Sequence, residues 1–400
     1  MGIDVVIIDD NPHVRWDGRV YPANAAFQRF AAAVLDVEGG PVASITSCVP
    51  LAAATAEPAT EPLDGRIRVV GTAPFEGIAG FLGSLPAMLR ANRPILRRAI
   101  AEADLVWLKV PGSNVPLAAA LAGRLGVARF GWVAGRASEV GTARFRGLRG
   151  LGAGVVGGLY DAAGVSAALG GDRVVVGADL VGPGGAAGPG LVTSLVEPDE
   201  IRDSDGRPWP AIPWRLRIAW AGRVAPGKGV EALLEATAIL AGRHGDERKT
   251  ELVLLGTGSL EGVVRERIQE LGLGERVHLV GFVAERSSYL EALSACDVLV
   301  SPSPAEGFPK VVLDGMAAGL PVLAVPAGQL GALAEAGIVG FVGTSPAELA
   351  DGLDRILAEP ERAAALRRAG GRFVRAHTRP AEAARLVDRW RRRWPELPWG

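Results

Sequence analysis

The stretch from Leu299 to Val325 (LVSPSPAEGFPKVVLDGMAAGLPVLAV) constrains the fold of this chain more than any other segment does. It predicts a strand that ends at Val300, a short polar loop, and a helix over about residues 311–318. Gly319 ends that helix, and a second strand follows from Val322. This order places the helix N-terminus, with its unpaired N–H groups and partial positive charge, just beyond the carboxyl end of the strand. The segment is therefore suited to binding phosphate.

Two acidic residues, Glu306 and Asp314, frame the start of this helix with seven residues between them. The string EGFPKVVLDGMAAGLPVLA resembles the signature of the retaining glycosyltransferases of family 4, which have the GT-B fold. That family carries Glu and Ala where this chain has Asp314 and Gly315. The resemblance implies that Glu306 holds the hydroxyls of the transferred sugar and that Asp314 accepts hydrogen bonds from the nucleotide ribose. It also implies donor contacts at Gly307, Phe308, Pro309, Lys310 and Val311.

A second loop of interest is Gly222-Arg223-Val-Ala-Pro-Gly-Lys228-Gly229, which follows a predicted strand and precedes a predicted helix. It resembles the glycine, arginine and lysine loop of the same family at full spacing. The resemblance implies that Arg223 and Lys228 contact the donor diphosphate and are catalytic together with Glu306. Two cations opposite two phosphates stabilise a departing diphosphate. The remaining donor contacts that the resemblance implies are Gly222, Gly256 and, through its backbone at the nucleobase, Val283.

No cofactor or catalytic metal is expected, and a nucleotide diphosphate sugar serves as the co-substrate. Asp203-Ser-Asp205 has the spacing of a metal-binding motif, but no strand precedes it. Two other functions stay open. A non-catalytic nucleotide-sugar-binding subunit is one, because the family's histidine is missing from the run 130–135. A nicotinamide oxidoreductase is the other; its support is the glycine turn at 256–262, although no acid ends the next strand to bind a ribose.

Strands and helices alternate along the whole chain, which predicts an α/β protein with the GT-B fold. We expect two doubly wound Rossmann-like domains facing across a cleft, with a C-terminal helix crossing back. The predicted parts are an acceptor-binding domain at 1–200, a hinge linker at 201–213, a donor-binding domain at 214–378, and a helix at 379–400 packing on the first domain.

The polar loop after the first predicted strand is the candidate acceptor site. The family has two adjacent glycines here, whereas this chain has Gly18 followed by Arg19. Arg15 and Arg19 are either solvated loop charges or contacts to an acidic or hydroxyl-rich acceptor, which remains unidentified. A natural product or a cell-envelope intermediate would suit so unusual a loop. The candidate acceptor residues are Asn11, His13, Arg15, Trp16, Gly18 and Arg19.

Composition limits the partners. The formal net charge of −1 over 400 residues gives no bulk attraction to nucleic acid. The start of the chain lacks the pattern of a signal peptide, no apolar run is long enough to span a bilayer, and two distant cysteines suit a reducing compartment. A cytoplasmic location is expected. Basic segments at 136–160 and 380–394 allow at most a peripheral membrane contact. The oligomeric state is not indicated.

Because Asp314 is one methylene shorter than the family's glutamate, it is expected to reach both ribose hydroxyls less well, so we predict that a deoxyribose (dTDP) donor is tolerated. Titration of the protein with UDP, GDP and dTDP sugars is expected to give similar affinities. A clear preference for UDP or GDP sugars over dTDP sugars would reject the prediction.

Overall fold

The structure, a computed structural model, describes most of the chain in two compact units. The described residues are 2–58, 60–73, 77–134, 171–181, 188, 190–203, 206–245, 247–304 and 308–400, with only the backbone course for 77–85. The first unit comprises Met1–Ala178, Gly190–Leu195 and Arg379–Gly400, and the second comprises Asp179–Pro189 and Val196–Thr378. Each unit has its own sheet and its own hydrophobic core.

The first unit is built on an eight-stranded sheet flanked by helices. Its elements are β1 (Ile3–Ile8), β2 (His13–Trp16), β3 (Arg19–Pro22), β4 (Val42–Ala53), β5 (Ile67–Thr72), β6 (Leu105–Val110), β7 (Ala128–Val133), β8 (Asp172–Val175), α1 (Ala26–Leu35), α2 (Gly77–Ala101), α3 (Val115–Leu125) and α11 (Arg379–Arg393). Six parallel strands run in the order β5-β4-β1-β6-β7-β8. Because both sheet faces are covered, strands such as β1 are largely apolar, here without interruption from Val5 to Ile8.

The hairpin formed by β2 and β3 corrects the prediction of an open polar loop over residues 13–19. The two strands pair antiparallel, and β2 also pairs with the end of β4. Asp17 and Gly18 turn the chain with φ values of 44° and 73°. An Asp-Gly pair with two positive φ values is the favoured two-residue hairpin turn, since its twist matches that of the strands. The turn chemistry therefore overrides the polar composition of this segment.

The helix α11 completes the core of the first unit. Trp390 is fully buried, with its ring 5.2 Å from Trp107 and 5.7 Å from Phe130. Val192 donates its backbone N–H to the buried carboxylate of Glu382 at 2.8 Å. This C-terminal helix thus packs on the N-terminal sheet through apolar contacts, and a buried hydrogen bond ties it to the segment 190–195. The aromatic cluster consists of Phe27, Phe30, Trp107, Phe130, Trp132 and Trp390.

The second unit is built on a six-stranded parallel sheet. Its elements are β9 (Arg215–Ala221), β10 (Lys249–Leu255), β11 (Val277–Gly281), β12 (Val298–Ser301), β13 (Val322–Ala324), β14 (Gly340–Phe341), α4 (Val230–His244), α5 (Glu261–Glu270), α6 (Arg286–Ser294), α7 (Lys310–Ala317), α8 (Leu330–Glu335), α9 (Pro346–Ala358), α10 (Pro360–Ala376) and a 3-10 helix at Pro198–Glu200. The order β11-β10-β9-β12-β13-β14 repeats the strand order of the first unit. Ligands of such sheets bind at the carboxyl ends of the strands.

The segment predicted as a hinge at 201–213 belongs to the second unit. The indole of Trp209 donates to the carbonyl of Ile356 at 3.0 Å, and Ala211 donates its N–H to Asp297 at 2.9 Å. Arg207 donates to the carbonyl of Cys296 at 2.7 Å. These contacts hold the described part of the segment against α9 and against the residues that precede β12, so it forms a packed loop despite its proline-rich composition.

The packing of Trp390 predicts a large effect of truncation. Trp390→Ala is expected to lower the free energy of unfolding of the first unit by about 3–5 kcal/mol, because it leaves a cavity in a packed core. Urea unfolding followed by circular dichroism measures the change. Trp214→Ala removes a tryptophan that is 60% exposed and is expected to stay within about 0.5 kcal/mol of the parent. Equal effects of the two substitutions would contradict the assigned core role.

Candidate functional site

A cavity of about 350 Å³ opens at the carboxyl ends of β9, β10 and β11 in the second unit. Arg223 follows β9 and is exposed, and Phe282 follows β11 and is 68% exposed. The wall of the cavity therefore combines the backbone of two glycine-containing loops with the guanidinium group of Arg223 and the ring of Phe282. Its lining residues are Ala221, Gly222, Arg223, Leu255, Gly256, Thr257, Phe282, Val283, Tyr289 and Val311.

The loop at 222–229 is fixed by hydrogen bonds to its backbone. Val224 donates its N–H to the carbonyl of Thr257 at 3.0 Å, and Ser303 donates its hydroxyl to the carbonyl of Gly227 at 3.0 Å. The indole of Trp220 donates to the carbonyl of Lys228 at 3.4 Å. Because three segments anchor this loop, Arg223 and Lys228 project from a fixed backbone.

Glycine is required where the loop after β9 meets the loop after β10. Gly256 has a φ of 134°, and a Cβ atom built on it would overlap the carbonyl oxygen of Gly222. A Cβ atom on Gly258 would likewise overlap the carbonyl oxygen of Val224. The two loops thus touch backbone to backbone, which brings Arg223 and Thr257 to one cavity wall.

Asp314 is buried in α7 and belongs to a charged cluster whose other members are half-buried. Its side chain accepts from Arg286 at 2.8 Å and from the hydroxyl of Tyr289 at 3.2 Å. Arg286 also donates to both carboxylate oxygens of Glu200, each at 3.0 Å. Asp314 is 8% exposed and is not among the residues that line the cavity, whereas Tyr289 is. Tyr289 therefore links the cluster to the cavity.

Burial controls the protonation of this cluster. Loss of solvent raises the pKa of Asp314, and the charge and hydrogen bond of Arg286 oppose that rise. Burial and the neighbouring Asp314 raise the pKa of the Tyr289 hydroxyl, so it stays protonated and can donate. Burial alone would lower the pKa of the Arg286 guanidinium, but Asp314 and Glu200 together raise it.

The structure brings five of the residues predicted to bind the donor to one cavity: Gly222, Arg223, Gly256, Val283 and Val311. Lys228 is half-buried in the loop that carries Arg223, and Pro309 caps the N-terminus of α7. Phe308 and Lys310 flank that cap and are half-buried. Glu306 and Gly307 lie outside the described residues, as does Gly135 of the first-unit run without histidine.

Close packing explains why residue 315 is a glycine and not the alanine of the resembled motif. A Cβ atom there would lie 2.5 Å from the Cδ2 atom of Leu299, which is fully buried in β12. The helix α7 therefore approaches β12 closely at this residue, and the leucine occupies the space that an alanine methyl group would need.

In the first unit, a polar cluster lies at the carboxyl ends of β1 and β6. The ammonium of Lys109 lies 2.8 Å from Asp9, which is 3% exposed, and 4.6 Å from the centre of the Phe27 ring. Ser113 donates its hydroxyl to Asp10 at 2.8 Å. Asn92, fully buried, donates to Asn114 at 3.0 Å. These groups offer both donors and acceptors at the sheet edge that ordinarily binds ligands.

The residues predicted to bind the acceptor lie beside this cluster but differ in exposure. His13 is buried and donates from Nδ1 to the carbonyl of Asn11 at 2.7 Å. Its Nε2 has no hydrogen-bond partner among the described residues, and burial lowers its pKa, so the imidazole is neutral. Arg15, Gly18 and Arg19 are exposed on the hairpin, and Trp16 is half-buried there.

Sequence reasoning missed several of these residues. Arg286 and Tyr289 are three residues apart, on one face of a helix that follows a strand, and this spacing is a usable signal. Lys109 interrupts a buried strand, which marks a buried charge that needs a partner. Nothing local to Glu200 indicates that it meets Arg286, because 86 residues separate them.

The described ranges contain neither a candidate metal cluster nor a candidate membrane span. No group of three or more His, Cys, Asp or Glu side chains there could hold a metal ion. No helix there is long and apolar enough to cross a membrane.

Comparison with solved structures defines the fold. The structure of sucrose-phosphate synthase from Thermosynechococcus elongatus superposes on this protein with a TM-score of 0.65 at 17% identity. The superposition covers 99% of this chain and 100% of the synthase chain. HepE of Anabaena in complex with UDP superposes with a TM-score of 0.61 at 15% identity, over 99% and 100% of the two chains. The protein has the GT-B fold, which confirms the fold prediction.

The family match lies in the second unit. Residues 215–373 match the model of the family described as glycosyl transferases group 1. The D-inositol 3-phosphate glycosyltransferase of Corynebacterium jeikeium is 29% identical over 196 residues, 47% of this chain and 45% of the relative. A GDP-mannose-dependent alpha-(1-6)-phosphatidylinositol dimannoside mannosyltransferase of Mycobacterium tuberculosis is 27% identical over 152 residues, 38% of each chain. The chain spans less than half the length of these curated relatives.

The backbone contact at Gly256 predicts that a glycine-to-alanine substitution changes the free energy of unfolding in opposite directions at two positions. Gly256→Ala is expected to lower the free energy of unfolding of the second unit by at least about 1–3 kcal/mol, the cost of a sparsely populated backbone conformation. Gly242→Ala, in the interior of α4 with open space around it, is expected to raise it by about 0.5–1 kcal/mol. Urea unfolding of both variants measures the difference, and a neutral Gly256→Ala would show that the loops can separate freely.

Proposed function

We propose that the protein is a glycosyltransferase that moves a sugar from a nucleotide diphosphate sugar to a hydroxyl of an acceptor. The observation that carries the proposal is the cavity at the carboxyl ends of β9–β11, which Arg223 and two glycine loops line. It lies within residues 215–373, the part of the chain that matches the family model. UDP is the first nucleotide to test, because the HepE structure contains it.

The charges of the second unit suit a departing diphosphate. Arg223 on the cavity wall and Lys228 on the same anchored loop supply two cations. The N-terminus of α7, near Lys310, supplies unpaired N–H groups and a partial positive charge. Groups fixed in advance opposite developing negative charge stabilise a transition state without reorganisation. Glu306 is assigned to the hydroxyls of the transferred sugar by the motif.

The reaction is proposed to proceed with retention of configuration and without a catalytic metal. The bond from the anomeric carbon to the diphosphate oxygen breaks, and the acceptor oxygen attacks the same face of the sugar. The acceptor hydroxyl gives its proton to the departing phosphate oxygen. Arg223, Lys228 and the helix N-terminus carry the charge that a metal ion would otherwise balance. Activity is therefore expected to persist in EDTA.

The acceptor is assigned to the first unit. The Asp9 and Lys109 pair, the Ser113 hydroxyl and the buried amides at the sheet edge form hydrogen bonds of both polarities. Such a set suits a ligand rich in hydroxyl groups, since each hydroxyl both donates and accepts. The exposed Arg15 and Arg19 add positive charge on the neighbouring hairpin.

Lys228→Ala and Arg223→Ala are each expected to lower kcat/KM for sugar transfer about ten- to hundredfold. This corresponds to about 1.5–3 kcal/mol, the range of a hydrogen bond to a charged group. A panel of nucleotide sugars, assayed for transfer and for donor hydrolysis, identifies the donor and provides the measurement.

Lys249→Ala is the matched control, because Lys249 begins β10 at the opposite end of the strand and pairs with Glu251 at 2.9 Å. It is expected to keep the parent activity. Unchanged turnover in Lys228→Ala and Arg223→Ala would remove the role assigned to the two cations. Binding of nucleotide sugars without transfer or hydrolysis would identify a non-catalytic subunit.

A further inference from the structure

Arg286 lies at the centre of the charged cluster that Tyr289 links to the cavity. Its guanidinium donates to both oxygens of Glu200 at 3.0 Å and lies 2.8 Å from Asp314. The guanidinium carbon is also 5.7 Å from the centre of the Tyr289 ring, within the range of a cation–π contact. One side chain therefore joins the 3-10 helix at Pro198–Glu200 to α6 and α7.

The charges of this cluster do not cancel. Arg286 brings one positive charge, and Glu200 and Asp314 each bring a negative charge when ionised. Tyr289, from the same helix as Arg286, faces Asp314 with a neutral hydroxyl. Burial and Glu200 raise the pKa of Asp314, whereas the charge and hydrogen bond of Arg286 and the hydrogen bond from Tyr289 lower it.

We propose that Arg286 is a positioning residue of the donor site: it orients the Asp314 carboxylate, which accepts the hydrogen bond of the Tyr289 hydroxyl and so fixes this cavity-lining side chain for nucleotide binding. This inference rests on the proposed function, because that function assigns the nucleotide to this cavity. An ionised carboxylate only accepts, whereas a protonated one also donates and loses much of its acceptor strength. Arg286 also fastens Glu200, and with it the 3-10 helix, to the same site.

Removal of Arg286 predicts a specific change in pH dependence. With no cation between them, Asp314 and Glu200 repel each other, and the pKa of Asp314 rises further. Because a raised pKa favours the protonated form, the Asp314 contribution to binding is complete above that pKa and is lost as the pH falls through it. The contribution of Asp314 to nucleotide binding is therefore expected to disappear at a higher pH in Arg286→Gln than in the parent.

The experiment measures the Kd of the nucleoside diphosphate that binds tightest among UDP, GDP and dTDP, by calorimetry from about pH 6 to about pH 8.5. The ratio of the Arg286→Gln Kd to the parent Kd cancels the titration of the nucleotide itself. The ratio is expected to grow toward low pH, by about tenfold for each unit by which the pKa of Asp314 rises. Arg286→Lys keeps a positive charge and is expected to restore most of the parent profile.

Arg243→Gln is the matched control, since Arg243 also bridges two carboxylates, Asp351 at 2.8 Å and Asp354 at 2.6 Å, in the same unit. The ratio of the Arg243→Gln Kd to the parent Kd is expected to stay near one at every pH. If Arg286→Gln does not fold, the double variant Arg286→Gln with Glu200→Gln removes one repelling carboxylate and carries the same test.

One outcome is that the parent protein binds the nucleotide while the ratio of the Arg286→Gln Kd to the parent Kd stays constant with pH. That result would overturn the inference and leave Arg286 with a structural role only. A parent that binds none of the nucleotides would overturn the proposed function, and the inference with it. The two failures are distinguished by the parent titration alone.

Discussion

The contact between the loops after β9 and β10 is the constraint on which the candidate site depends. Gly256 adopts a positive φ against the carbonyl of Gly222, and Val224 donates to Thr257 across the same junction. A side chain at Gly256 would separate the loops and move Arg223 away from the cavity wall. Parallel strands bring these loops to one sheet edge, and glycine lets them approach closely enough to form one surface.

Burial sets the behaviour of the acidic residue in α7. Asp314 is nearly inaccessible, so its charge depends on a partner within the protein instead of on water. Arg286 supplies that partner but is shared with Glu200, so each carboxylate receives part of its stabilisation. The helix is also tightly packed one residue later, where Gly315 leaves space for Leu299. Asp314 and Gly315 are both smaller than the residues of the resembled motif, and at Gly315 the surrounding protein occupies the space.

Local patterns predicted the loops well and long-range contacts poorly. Arg223, Lys228 and the start of α7 were predictable because strand, loop and helix follow one another within a few residues. Glu200 and Arg286 were not, since their contact depends on how distant segments pack. The hairpin at Asp17 and Gly18 was missed although its turn signal is local, because the polar side chains around it favoured a loop.

The two sheets share one strand order but present different chemistry at their carboxyl edges. In the second unit, Arg223 is exposed on a backbone-rich cavity wall, which favours an anionic ligand. In the first unit, Lys109 is already neutralised by the buried Asp9, and the other groups at that edge are carboxylate, hydroxyl and amide. This cluster of groups by itself has little net attraction for a phosphate but many partners for hydroxyl groups. These charges therefore support the proposal that a diphosphate-activated sugar binds to the second unit and a hydroxyl-bearing acceptor binds to the first.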